Sequence, residues 1–283
     1  MSERTRCEFV PKAYPPPHTN THTHSGSRNA TNSHTLLSLP ASVVLIAGSP
    51  REGGIEGDAA SLVDRARRRL RVQAPHVTDS LIFVNGLTFF AQKISRGWLL
   101  AWGCKHNAAL LQGQMWRLVT PAFLHGSWMH LLVNTISLTQ MGPKAEALFG
   151  WERMLSVYAL SGVAGNLCSL CLSPLPSVGS SGALFGLLGA LGCFYYGHRD
   201  VLGNQVDAPL RSLRNVLFAN LVLGAYTPNI DNWAHVGGLV AGAATLSLLG
   251  PKLKIERDGK SERNMLVDRP PIPLFAFKPL ALL

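Results

Sequence analysis

The sequence predicts an all-α, polytopic membrane protein, a bundle of six transmembrane helices. Three observations predict it. Charged residues make up only 15% of the 283, against roughly 25% in an ordinary soluble domain, and mean hydropathy is positive at +0.15. The charge is also segregated: the stretches 118–143, 154–198, 215–230 and 232–251 contain no Asp, Glu, Lys or Arg. A surface helix of a soluble protein needs a polar face, so uncharged runs of this length fit a bilayer better than a large soluble core. Finally, the basic residues alternate from one inter-helix segment to the next.

Residues 1–75 read as a segment apart. Between 13 and 50 there is no acidic residue, and Ser, Thr, Pro and His are abundant. Such composition suits an organelle transit peptide, the alternative being a disordered tail. The apolar run 36–48 is too short to span a bilayer. The cluster His18, His22, His24 and His34 reads as low-complexity drift rather than a metal site. Asn29-Ala30-Thr31 matches a glycosylation triplet but lies in a segment expected to be removed or kept out of the secretory pathway.

From residue 77 onward the candidate spans are 77–94, 128–148, 154–172, 181–197, 213–226 and 233–250. With the N-terminus inside, the inside segments hold Arg65, Arg67, Arg68, Arg69 and Arg71, then Lys144 and Arg153, then Arg199, Arg211 and Arg214, and finally Lys252, Lys254 and Arg257. The outside loops 173–180 and 227–232 hold no Lys or Arg. That is the asymmetry of the positive-inside rule. It also gives the net charge of +10 a partner in anionic lipid rather than nucleic acid. The loop 95–126 breaks the rule with Arg96, Lys105 and Arg117; with Trp98, Trp102 and Trp116 it suits a structure lying in the interface. Cys168 and Cys171 form a C-x-x-C within a helical stretch, without a redox context. The chain from 253 to 283 reads as a C-terminal tail after a six-helix domain at 76–252.

Polar groups at membrane depth are costly and mark functional sites. Three constellations stand out. His130 and Asn134 are four residues apart and share a helix face, where both can donate to one oxyanion; bonding between helices is the alternative use. Gly179-Ser180-Ser181-Gly182 stands where an uncharged loop enters the fourth span, and backbone N–H groups at a helix start are unpaired. Gly182, Gly186 and Gly189 offer a face for close packing. In the sixth span, Gly238 and Gly242 share roughly one face with His235. A serine needs a base to be nucleophilic, and His235 is the candidate. Asp231, four residues earlier, reads as a helix cap, so a Ser–His dyad is expected rather than a triad.

With Trp116-Arg117, the His125-to-Asn134 block, Glu146 followed by Gly150, Gly-x-Ser-Gly and Ala-His-x-x-Gly-x-x-x-Gly in this order, the sequence resembles the rhomboid intramembrane proteases over about two-thirds of its length. The resemblance implies Ser181 as nucleophile and His235 as base, with His130, Asn134 and the Ser181 N–H around the oxyanion. Gly179, Gly182, Gly238 and Gly242 support the site, and Phe185 stacks on the catalytic imidazole. Ser180 fills the variable position of the motif, and His125 and Arg117 look structural. No metal or cofactor is implied, and the implied partners are transmembrane protein substrates within the lipid bilayer. The alternative within the resemblance is an inactive relative that binds transmembrane clients, but such relatives lack the Ser or the His. A transporter would show paired intramembrane charges or inverted repeats, and neither is visible. Leu-Ala-Trp-Gly-Cys-Lys ending at Lys105, Gly113-Gln-Met-Trp-Arg and Ile230-Asp-Asn-Trp-Ala-His resemble plant plastid members. With the acid-poor N-terminus they point to the chloroplast, in its inner envelope membrane. The mitochondrion is the alternative, but its rhomboids typically carry an extra helix before the six.

Overall fold

A computed structural model describes residues 77–227, 230–257 and 264–273. The expectations for residues 1–75 and for the end of the tail at 274–283 lie outside the described residues. Six long helices make the body: α1 (Val77–Ile94), α4 (Trp128–Phe149), α5 (Trp151–Leu172), α6 (Ser181–Gly197), α8 (Asp207–Tyr226) and α9 (Asn232–Leu249). Two short helices, α2 (Trp98–Gly103) and α3 (Asn107–Leu111), with 3-10 turns at Met115–Leu118 and Thr120–Phe123, fill the loop between α1 and α4. A four-residue α7 (Arg199–Leu202) precedes α8.

Three of the long helices start at a side-chain cap. The Ser127 hydroxyl caps α4 by accepting from the His130 N–H at 3.1 Å, and Asp231 caps α9 through the Ala234 N–H at 3.2 Å. These side chains satisfy donors that have no partner inside the helix. The first turn of α1 is capped from a distance. Glu146 of α4 accepts from the N–H groups of Val77 (3.3 Å) and Thr78 (2.6 Å) and from the Thr78 hydroxyl.

The uncharged α6 is the central helix. Its residues Ala183 to Leu188 are all buried, as are Ala190, Leu191 and Phe194. Leu138, Met141, Phe149, Met154, Val157 and Leu246 from the surrounding helices complete the same core. Against α6, α9 lies almost backbone to backbone. A Cβ added at Gly238 would fall 2.0 Å from the Gly182 carbonyl oxygen, and one at Gly242 would fall 2.0 Å from that of Gly186. Only glycine permits that approach.

Among the described residues, Trp151–Leu172 is the one helix both long and apolar enough to cross a membrane on length and composition alone; Ser181–Gly197 is apolar but shorter. The other long helices carry polar groups on their inner faces, including Asn85, Asn134 and His235, all buried.

The tail contains a feature that the sequence pattern did not announce. Strands β1 (Leu253–Arg257) and β2 (Asn264–Asp268) form an antiparallel hairpin in the register Leu253↔Asp268 to Arg257↔Asn264. Asp268 fixes it to the bundle: one oxygen accepts from the Lys252 N–H at 2.9 Å, and the other pairs with the buried Arg153 guanidinium at 2.8 Å. His198 donates to the Phe194 carbonyl and accepts from the Leu253 N–H at 3.1 Å. The all-helical expectation therefore needs this one addition, and the tail is docked at least as far as the Ile272 N–H, which bonds the Leu248 carbonyl.

Two glycine substitutions separate packing from propensity. Gly192→Ala meets nothing within 4 Å and is expected to be neutral or to stabilise by up to about 1 kcal/mol. Gly242→Ala must part α6 from α9 and is expected to cost roughly 2–4 kcal/mol, as measured by equilibrium unfolding in mixed micelles.

Candidate active site

Ser181 is the first residue of α6, and the preceding loop is fixed at two points. Lys105 and Ser177 exchange backbone hydrogen bonds, and the Gly179 N–H donates to the Pro121 carbonyl at 2.8 Å. Gly179 has φ +126°, and a Cβ there would lie 2.7 Å from the His130 ring. Glycine is thus required twice, for the backbone angle and for the closeness of the imidazole.

His235 sits in the first turn of α9, and its Nε2 lies 2.9 Å from the Ser181 hydroxyl. Phe185, one turn after Ser181, stacks on the His235 ring with centroids 4.2 Å apart and planes 5° from parallel. The hydrogen bond sets the ring's reach and the stack sets its plane. For Nε2 to accept the serine proton, the neutral ring must carry its hydrogen on Nδ1. Asp231 does not bond the imidazole. Its carboxylate accepts from the Ala234 N–H and the Ser169 hydroxyl, as expected of a cap.

Both serines of the motif start the same turn but face differently. Ser180 is fully buried, with its hydroxyl 3.5 Å from His125 Nε2, whereas Ser181 lines a cavity of about 550 Å³. His125 is held by Gln92, which donates to its carbonyl and accepts from its N–H, both at 3.0 Å. Burial, followed by the neighbouring His130, pushes the His125 imidazole down to about 3, so it is neutral at physiological pH.

The same cavity is lined by His130, Asn134, Gly179, Gly182, Phe185 and His235. One amide hydrogen of Asn134 donates to the His130 carbonyl at 3.0 Å, leaving the second for another acceptor. The structure thus brings together every residue expected at the site, with Gly238 and Gly242 behind it at the α6 contact. Asn166 also lines the cavity; its amide donates to the Leu118 carbonyl at 2.8 Å. Among the described residues no group of His, Cys, Asp or Glu side chains is arranged to hold a metal ion.

Of the three exceptions to the loop-charge rule, Arg96 is exposed, whereas Arg117 and Lys105 are buried hydrogen-bond donors rather than surface cations. Arg117 donates to the carbonyls of Ala101 (3.0 Å) and Cys104 (2.8 Å), and burial lowers its pKa. Lys105 donates to three carbonyls near the C-terminal end of α5. In the sequence both stood out by a positive charge on the unexpected side and by their place in the motifs of the resemblance. Trp98, Trp102 and Trp116 stack in series, with centroids 6.2 and 5.6 Å apart.

Comparison with known proteins identifies the family. The Rhomboid domain family model matches residues 112–252. The chain is 34% identical over 199 residues to "Rhomboid protease GluP" of Bacillus subtilis (strain 168), covering 64% of this chain and 39% of that protein. It is 34% identical over 139 residues to "Putative rhomboid protease YdcA" of the same organism, 48% of this chain and 68% of that one. It is 30% identical over 169 residues to "RHOMBOID-like protein 9, chloroplastic" of Arabidopsis thaliana, 59% of this chain and 39% of that one. The chain belongs to the rhomboid family, whose members are integral membrane proteins. It spans less than half the length of GluP and of the chloroplastic relative.

Gly179 and Gly113 both have positive φ, but a Cβ at Gly113 meets nothing within 4 Å. Gly113→Ala is expected to cost only backbone strain, about 1–2 kcal/mol. Gly179→Ala must in addition displace His130, and is expected to cost at least about 1 kcal/mol more in the same unfolding measurement.

Proposed function

We propose that this protein is an intramembrane serine endopeptidase that cleaves transmembrane segments of other membrane proteins with Ser181 and His235. The observation that carries the reading is the 2.9 Å contact between Ser181 Oγ and His235 Nε2, on the wall of a cavity large enough to admit a peptide strand. The family and the names of its bacterial relatives support the same class of reaction.

In the reaction, Ser181 Oγ attacks the scissile carbonyl carbon as His235 Nε2 takes the hydroxyl proton. The negative charge moves to the former carbonyl oxygen, where the Ser181 N–H, His130 and the free amide hydrogen of Asn134 hold it. The C–N bond then breaks, the imidazolium gives its proton to the leaving nitrogen, and an ester on Ser181 remains. A water molecule, deprotonated by His235, attacks that ester; the C–Oγ bond breaks, His235 returns the proton to Ser181 Oγ, and the carboxylic acid is released. Phe185, stacked on the His235 ring, keeps the ring in plane through these proton transfers.

Six membrane spans fit the helices. At 1.5 Å per residue, the 17 to 22 residues of the long helices reach about 26–33 Å, close to a hydrocarbon core of about 30 Å. The outward faces of the outer helices are apolar, with Phe83 and Phe218 each 69% exposed and Val240 62%. The interior holds Asn85, Asn134, Glu146 and His235. Apolar outside and polar within suits lipid as solvent. The acid-poor N-terminus, read as a transit peptide, and the chloroplastic relative support the plastid inner envelope as the location.

With purified protein and a transmembrane test substrate, Ser181→Ala and His235→Ala are each expected to abolish cleavage, and Ser180→Ala to retain most of it. Asn134→Ala is expected to lower kcat by about 10²-fold. Cleavage by Ser181→Ala at the wild-type rate would sink the dyad. A fluorescent reporter fused to residues 1–75 is expected in plastids, and mitochondrial or cytosolic signal contradicts that location.

A further inference from the structure

The dyad joins two separate pieces of chain, the loop entering α6 and the first turn of α9. Both are fastened to one place, the C-terminal end of α5. Lys105 comes from the interfacial loop yet is completely buried. Its ammonium donates to the carbonyls of Ser169 (3.2 Å), Ser173 (3.0 Å) and Leu175 (2.9 Å). The Ser169 carbonyl also accepts from the Ser173 N–H at 2.8 Å, and a cation at a helix C-terminus is favoured. The backbone of the same residue pairs with Ser177 at 2.9 and 3.2 Å, four residues before Ser181. Asn107 adds bonds from its amide to the Leu170 and Ser173 carbonyls, at 3.2 and 2.9 Å.

On the other side of the same helix end, the buried Ser169 hydroxyl donates to Asp231. The second oxygen of Asp231 caps α9, and His235 follows one turn later. Here α9 rides directly on α5. A Cβ at Gly165 would lie 2.6 Å from the Ala234 carbonyl oxygen, and one at Gly237 would lie 2.4 Å from the Cys168 Cβ. Burial lowers the pKa of Lys105, and the charge of Asp231 opposes that shift.

Resting on the dyad reading above, we infer that Lys105, Ser169 and Asp231 are positioning residues, a polar clamp at the end of α5 that sets the separation of Ser181 and His235. Lys105 holds the serine side through Ser177, and the Ser169–Asp231 bond holds the histidine side. The Phe185 stack fixes the plane of the imidazole but allows sliding within that plane, which is the freedom the clamp removes. A proton transfer needs heavy atoms within about 2.6–3.2 Å, so a small shift of α9 along α5 disables the base without unfolding the protein.

The test uses the full chain in detergent micelles and three readouts: the labelling rate of Ser181 by a small fluorophosphonate, kcat and KM for a transmembrane substrate, and the thermal midpoint. Ser169→Ala removes the link to α9 and leaves the cap. It is expected to slow labelling and lower kcat in parallel, by about tenfold to a hundredfold, with KM within about twofold and an unchanged midpoint. Asp231→Ala is expected to be more severe. Asp231→Asn keeps an acceptor for the Ala234 N–H and a partner for the Ser169 hydroxyl, and should recover much of the loss. Lys105→Met probes the serine side; should it fail to fold, Ser169→Ala decides alone. Wild-type labelling rates in Ser169→Ala and Asp231→Ala overturn the clamp, as does a fall that only follows the loss of folded protein. Wild-type labelling that persists in Ser181→Ala overturns the dyad itself, a result distinct from failure of the clamp.

Discussion

The approach of α9 to α6 is the constraint on which the site depends. Gly238 meets the Gly182 carbonyl and Gly242 meets that of Gly186, at distances where any side chain would collide. Ser181 begins one of these helices and His235 lies in the first turn of the other. Once the backbones are in contact, their side chains meet without strain. Gly186 serves the third helix as well, since a Cβ there would lie 2.1 Å from Ser161 of α5. Glycine at these positions is therefore part of the geometry that brings Ser181 and His235 together, although none of it is reactive.

A second constraint follows from the solvent. In lipid, burial of apolar surface gives no driving force between helices, so close packing and interior hydrogen bonds must hold the bundle. The polar interior fits that need. Glu146 caps α1 from α4, Asn166 ties α5 to the interfacial loop, and Lys105 closes the end of α5. Arg153 and Asp268 do the same at the opposite end, joining α5 to the hairpin. Each link satisfies a backbone or charged group that hydrocarbon would leave unpaired.

Much of this was legible in the sequence because it depends on spacing. Apolar runs, most of them uncharged, marked the six helices: α1 and α6 begin and end at the expected residues, and the others differ by one to six positions at an end. The largest difference is at α8, which starts at Asp207 rather than 213 because its first turns are charged and stand clear of the apolar pattern. The His130–Asn134 spacing and the glycine faces were legible because helical periodicity sets which residues share a face of each helix; that the three faces meet is a matter of tertiary packing. What spacing could not give was the meaning of single polar residues in irregular segments. Lys105 looked like a misplaced surface cation, and only its three carbonyl partners explain it. The hairpin was equally hidden, because β1 and β2 are short and their anchors, Arg153 and His198, come from other elements.

The most direct test of the central claim is a structure of the protein reacted with a peptide aldehyde derived from a transmembrane substrate. The account predicts a covalent bond from Ser181 Oγ to the aldehyde carbon. The resulting oxygen should lie within about 3 Å of the Ser181 N–H, His130 and Asn134, with His235 Nε2 still in contact with Oγ. A bond to Ser180, or an oxygen turned away from His130 and Asn134, would contradict it.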